Sequence, residues 1–136
     1  MKLPLENIED FQMQEKRKYD LEERLINFAV VVIAHVETMP NTKAANHLAG
    51  QLLRSGTSPA LNYGEAQSSE SRNDFIHKIK IVLKELRETL VCLKIIYKAK
   101  LITENQEVLS LMKEANELVA IFAKSAKTSA ENSKNK

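Results

Sequence analysis

The sequence predicts an all-α protein folded as an antiparallel, up-and-down four-helix bundle, and three observations carry that expectation. Apolar residues recur at spacings of three and four through four long stretches. The joints between these stretches are short, which sets neighbouring helices antiparallel. Only 3 Gly, 3 Pro and 5% aromatic residues among 136 leave little turn chemistry for a fold of many short strands.

The first helix is expected from Leu21 to Met39. Asp20 is its N-cap, and Glu22 and Glu23 sit in a first turn where the helix dipole favours negative charge. Leu21, Leu25, Phe28, Val32 and Val36 give the stripe, and Pro40 stops it. Residues 1–20 precede it as an N-terminal arm whose Leu3, Leu5, Ile8 and Phe11 could pack on the bundle or on another subunit. The second helix starts after Thr42 and carries Ala45, Leu48, Ala49, Leu52 and Leu53. At Ser55-Gly56-Thr57-Ser58-Pro59 two outcomes stay open: a break, or one long helix in which Pro59 cannot donate to the Ser55 carbonyl.

The third helix is expected from about Arg72 to Ala99, opened by a partial capping box of Ser71 and Asp74. Phe75, Ile79, Val82, Leu86, Leu90, Leu93 and Tyr97 form its broad stripe. The fourth follows with Thr103 as N-cap, Glu104 and Glu107 near its first turn, and Val108, Leu111, Ala115, Leu118 and Phe122 facing inward. The bundle thus spans 21–126. Residues 127–136 lack a large apolar side chain and are expected to form a flexible C-terminal tail.

Composition excludes several classes. Hydrophobic residues make up 43% and charged residues 28%, a globular balance. One cysteine allows neither an intrachain disulfide nor a Cys-rich zinc site. No apolar run reaches the ~18 residues of a membrane span. The first twenty residues are too acidic for a secretory signal, so a cytoplasmic location is expected.

The formal net charge is +2, but it is unevenly spread. Residues 1–42 hold five basic and eight acidic groups, residues 43–100 ten and five, and residues 101–136 five of each. On the third helix Lys80, Lys84, Arg87, Lys94 and Lys98 fall in one sector, a ridge about 27 Å long at 1.5 Å per residue. Such a ridge can follow successive phosphates. No aromatic residue interleaves with it, so backbone contact rather than base stacking is the expected mode. Ile81, Cys92, Ile95 and Ile96 project outside the main stripe and are expected to meet another subunit, unless the core face is simply wide.

Catalytic constellations fail on inspection. A di-iron bundle needs two Glu-x-x-His units and two further inward Glu residues. The chain has only Asp74-Phe75-Ile76-His77, and His35 lies in an apolar helix as a packing residue. Cys92 and His77 are too far apart along one helix to form a nucleophile pair. No Walker loop, GxGxxG or GxSxG occurs. No metal, cofactor or enzymatic activity is expected.

Several segments are distinctive together. These are Tyr19-Asp20-Leu21-Glu22-Glu23-Arg24-Leu25, the stretch from Gln51 to Ala66 containing Leu53-Arg54-Ser55-Gly56-Thr57-Ser58, Ser71 to Lys78, Lys84-Glu85-Leu86-Arg87-Glu88-Thr89, and Lys124 to Thr128. Across roughly Tyr19 to Ser129 the chain resembles the bacterial four-helix-bundle family, also called S23 ribosomal protein or the protein encoded in intervening sequences of 23S ribosomal RNA. The resemblance implies a second helix continuing, with a kink, through Pro59. It also implies a homopentamer with a central channel, as in the related accessory variability determinant of diversity-generating retroelements, whose partners are nucleic acid and a reverse transcriptase. Arg54, Lys78, Lys80, Lys84 and Arg87 match basic positions of the family pattern, whereas Lys94 and Lys98 rest on helical spacing alone. For Arg54, phosphate contact and an ion pair with Glu85 or Glu88 remain equally open. RNA or DNA and further copies of the chain are therefore the expected partners.

Overall fold

Four helices account for all regular structure in the computed structural model, which describes residues 5–103 and 105–134. They are α1 (Leu5–Glu37), α2 (Lys43–Gln67), α3 (Arg72–Lys98) and α4 (Asn105–Lys134). α2 packs on α1 and α3, and α4 packs on α3 and α1, so α1 and α3 occupy diagonal corners of an up-and-down bundle.

Capping follows the sequence where polar side chains are poised for it. Thr42 accepts a hydrogen bond from the Ala45 N–H at 3.1 Å, and Ser71 accepts one from the Asp74 N–H at 3.1 Å. The chain leaves α3 through Lys100, whose φ of 53° lies in the left-handed region. The Leu101 N–H then donates to the Ile96 carbonyl and closes the short turn.

Helix boundaries depart from expectation at both ends of the chain. α1 begins at Leu5 rather than Leu21 and stops at Glu37, two residues before Met39. The arm is the N-terminal part of this helix, and residues 8–17 are exposed on every side. Its Glu, Gln, Lys, Arg and Met residues are good helix formers. Extending a helix already nucleated by packing costs far less than starting one. The Tyr63 hydroxyl also donates to the Lys18 carbonyl at 3.4 Å and ties this extension to α2. At the other end α4 continues past Ala126 to Lys134, because extending a helix already formed costs little even through Thr128, Ser129 and Asn132. Leu3 and Glu104 lie outside the described residues.

α2 runs unbroken through Pro59. Nearby side chains serve the local carbonyls: Thr57 Oγ1 donates to the Leu53 carbonyl at 2.7 Å, and Asn62 Nδ2 donates to that of Ser58 at 3.0 Å. Ser55 and Gly56 are buried where α2 meets α1. A Cβ built on Gly56 would stand 2.8 Å from Val32 Cγ1, so glycine is what lets the two backbones approach this closely.

The core is built from Leu25, Phe28 and Val32 of α1, Leu52 and Tyr63 of α2, Ile79, Val82, Leu86 and Leu93 of α3, and Leu111, Leu118 and Phe122 of α4. Tyr63 and Phe122 meet edge to face, with ring centroids 5.6 Å apart. Two residues expected at an oligomer interface belong to this core instead: Cys92 and Ile96 are buried within one protomer. Because α3 packs between α2 and α4, its buried arc is wider than one stripe and reaches round to both. Ile95 is exposed and Ile81 half-buried.

Candidate nucleic-acid interface

The outer face of α3 carries the basic residues singled out from the sequence. Lys80, Lys84, Arg87, Lys94 and Lys98 are all exposed. At 100° per residue they lie within about 40° of a common line along the helix. None of the five forms an ion pair with an acid among the described residues. Their ammonium and guanidinium groups therefore face solvent as a strip, the arrangement that releases counterions when a polyanion binds.

Arg54 and Lys78 are engaged differently. Arg54 Nη1 donates to Glu85 Oε2 at 3.0 Å, and Nη2 donates to Glu88 Oε1. Lys78 Nζ pairs with Glu65 of α2. Both cations bridge α2 to α3 and lie off the strip. The Arg54 guanidinium holds the Glu88 carboxyl below the usual carboxylate range. Glu85 is nearly buried, with Arg54 as its ion-pair partner. A second fork joins α1 to α4: Arg24 donates to Glu114 at 3.1 Å and to Glu117 at 2.9 Å, which likewise lowers the Glu114 pKa.

The sequence reading missed Val91. It is 55% exposed and falls at the centre of the basic sector, four residues after Arg87 and three before Lys94. Ile95, 46% exposed, lies beside it. With Leu48 and Gln51 of α2 they line a shallow groove of about 390 Å³. The helical spacing that revealed the lysines also locates Val91, but a single apolar residue in a basic run carries no signal until its exposure is known.

Other reactive groups are inert by geometry. Burial pushes the Cys92 thiol up to about 11, and its Sγ lies 3.7 Å from the Leu48 carbonyl. His35 is buried with Nδ1 3.6 Å from Glu107 and no hydrogen-bond partner for either ring nitrogen among the described residues. His47 and His77 are exposed. Among the described residues no three His, Cys, Asp or Glu side chains gather to hold a metal, and no helix is long and apolar enough to cross a membrane.

Comparison with known proteins agrees with this architecture. The family profile described as 23S rRNA-intervening sequence protein matches residues 17–124. A crystal structure of a Bacteroides thetaiotaomicron protein of unknown function, from the S23 ribosomal protein family, is 30% identical, with a TM-score of 0.73 over 81% of this chain and 97% of that one. No curated protein matches. With most of its length matched and the same helical fold, the chain belongs to the 23S rRNA-intervening sequence protein family.

Proposed function

We propose that this protein is a non-enzymatic, homo-oligomeric bundle that holds the backbone of RNA or DNA along the outer face of α3. The observation that carries the reading is the strip of exposed cations without protein acids as partners. Lys80, Lys84 and Arg87 are its centre, because no exposed large hydrophobic residue of α3 lies between them. Phosphates are contacted by bare cations, and such contacts carry affinity without base specificity. Arg54 and Lys78 support the strip by fixing α2 against α3. Family resemblance makes five copies the expected assembly, which would multiply the strip into a multivalent surface. A reverse transcriptase, where one is encoded nearby, is the protein partner that the resemblance suggests.

Fluorescence anisotropy with labelled RNA and DNA duplexes across a salt series tests the reading. Binding should weaken steeply with salt, and Lys80→Glu, Lys84→Glu and Arg87→Glu together should abolish it while far-UV circular dichroism stays unchanged. On duplex DNA each lost contact should flatten the log–log salt slope by about 0.9. Absence of binding in dilute buffer, or undiminished binding by the triple variant, refutes it. The exposed Val91 and Ile95 favour a different occupant, a protein, on the C-terminal half of the strip.

A further inference from the structure

We propose that copies of this chain join head to tail, with the outer stripe of α1 on one copy packed against the C-terminal half of the outer stripe of α3 on the next. The inference deepens the proposed function by naming the surfaces of its assembly, and it does not depend on nucleic-acid binding.

Both stripes expose apolar side chains that nothing in the protomer covers. On α1, Tyr19, Ile26, Val30 and Ile33 fall within about 40° of one line at 100° per residue. Val30 is 57% exposed and Ile33 43%. On the outer stripe of α3 the exposed large hydrophobics are Val91 and Ile95, both C-terminal to Arg87. Leaving such area in water is unfavourable by roughly 25 cal/mol per Å².

The charges set among these apolar residues are of one sign on each stripe and opposite between the two. Glu15 and Glu37 lie on the α1 line, with Glu22 about 50° from it, and no Lys or Arg falls within about 60°. Arg87, Lys94 and Lys98 lie on the α3 line, and no Asp or Glu falls within about 60° of that one. An α1–α1 or α3–α3 contact would set like charges against each other. An α1–α3 contact pairs apolar with apolar and acid with base, which is the complementarity that selects a partner.

The architecture gives each copy both halves of the contact. α1 and α3 occupy diagonal corners, so the two stripes point away from one another and can be engaged at once. The two helices run in the same direction, and His35 near the end of α1 lies against Glu107 just after the α3–α4 joint. Val30 and Ile33 are therefore on the same half of the bundle as Val91 and Ile95. Because the two stripes lie at the same height along the bundle, the α1 stripe of one copy can meet the α3 stripe of the next as a heterologous contact without a slide along the bundle axis.

Light scattering after size exclusion, without nucleic acid, tests the contact. The wild type should run as a multimer. Val30→Glu with Ile33→Glu spoils only the α1 stripe, and Val91→Glu with Ile95→Glu only the α3 stripe. Each variant alone should be a monomer with unchanged far-UV circular dichroism. Their equimolar mixture should form a species of twice the protomer mass and nothing larger, since each retains the face the other lacks. A monomeric wild type, a variant that keeps the wild-type mass or forms a homodimer, or a mixture that stays monomeric overturns the proposal. A charge swap independently probes the contact without touching its apolar residues. Lys94→Glu with Lys98→Glu should weaken assembly, and adding Glu37→Lys, which the shared register sets opposite them, should restore part of it; failure to restore counts against the proposal. A Lys80, Lys84 and Arg87 reversal that still binds RNA would overturn the nucleic-acid reading alone, whatever its assembly.

Discussion

Substituting alanine at the three glycines of α2 should give opposite signs within one helix. Replacing helical glycine by alanine contributes about 0.8–1.0 kcal/mol of stability when the new methyl group meets nothing. Gly50 and Gly64 satisfy that condition, with no atom within 4 Å of the added Cβ. Gly56 does not, because its Cβ would lie 2.8 and 3.0 Å from the two methyl carbons of Val32. Val32 is fully buried, and a β-branched side chain in a helix has one strongly preferred rotamer. The methyl group must then push α1 and α2 apart, and overpacking of this kind costs about 1–3 kcal/mol. Gly50→Ala and Gly64→Ala should each stabilise by about 1 kcal/mol, and Gly56→Ala should destabilise by up to ~2 kcal/mol. Urea unfolding at one fixed protomer concentration measures all three, since association would otherwise shift the midpoints. In a Val32→Ala background the two methyl contacts are gone and only the Cβ at 3.3 Å remains, so Gly56→Ala should cost much less there. A Gly56→Ala protein as stable as Gly50→Ala, or a cost undiminished in that background, would refute the steric account.

Arg54→Ala should destabilise the bundle more than Lys80→Ala, because it strands the nearly buried Glu85 carboxylate, and Glu85→Gln should recover part of the loss in thermal melts. The same pairing sets the acid limb: Glu88 and Glu114 titrate below their unfolded range of about 4.3, so their stabilisation is present above that pH and disappears as pH falls through the lowered values. Removing Arg54 should flatten that limb in a pH series of urea midpoints. On the alkaline side burial pushes the Tyr63 phenol up to about 12 and the Cys92 thiol to about 11. Stability should fall as pH rises from near 9 towards those values, and Tyr63→Phe should remove the later part of the decline. His35→Leu should raise stability by about 1 kcal/mol in the same assay, since it removes buried ring nitrogens without partners.

Sequence periodicity located the cores of all four helices, because each carries a stripe wide enough to survive without knowledge of its neighbours. Thr42 and Ser71 were legible as caps for a local reason: the side chain and the N–H it serves are three residues apart. The extension of α1 was not legible, since residues 8–17 have no buried face to imprint a period. Pro59 and the Ser-Gly-Thr-Ser run obey turn chemistry locally and are overruled by packing against Val32. Cys92 and Ile96 were misplaced because the width of the α3 core face depends on two neighbours. The basic strip was visible as spacing, but the separation of Arg54 and Lys78 from it required knowing which carboxylates lie across the groove.

The seams of the bundle are unequal. α1 meets α4 over a far shorter stretch than any other adjacent pair, and a cleft lined by Asn27, Val31, Ser110 and Lys113 runs along that border. The Arg24 fork to Glu114 and Glu117 acts there as a latch. α2, α3 and α4 form the cohesive block, so partial unfolding should begin with α1 peeling away about residues 38–42. Deuterium uptake would then reach the amides of α1 before those of α3, and a released α1 is free to trade places with its counterpart in another copy.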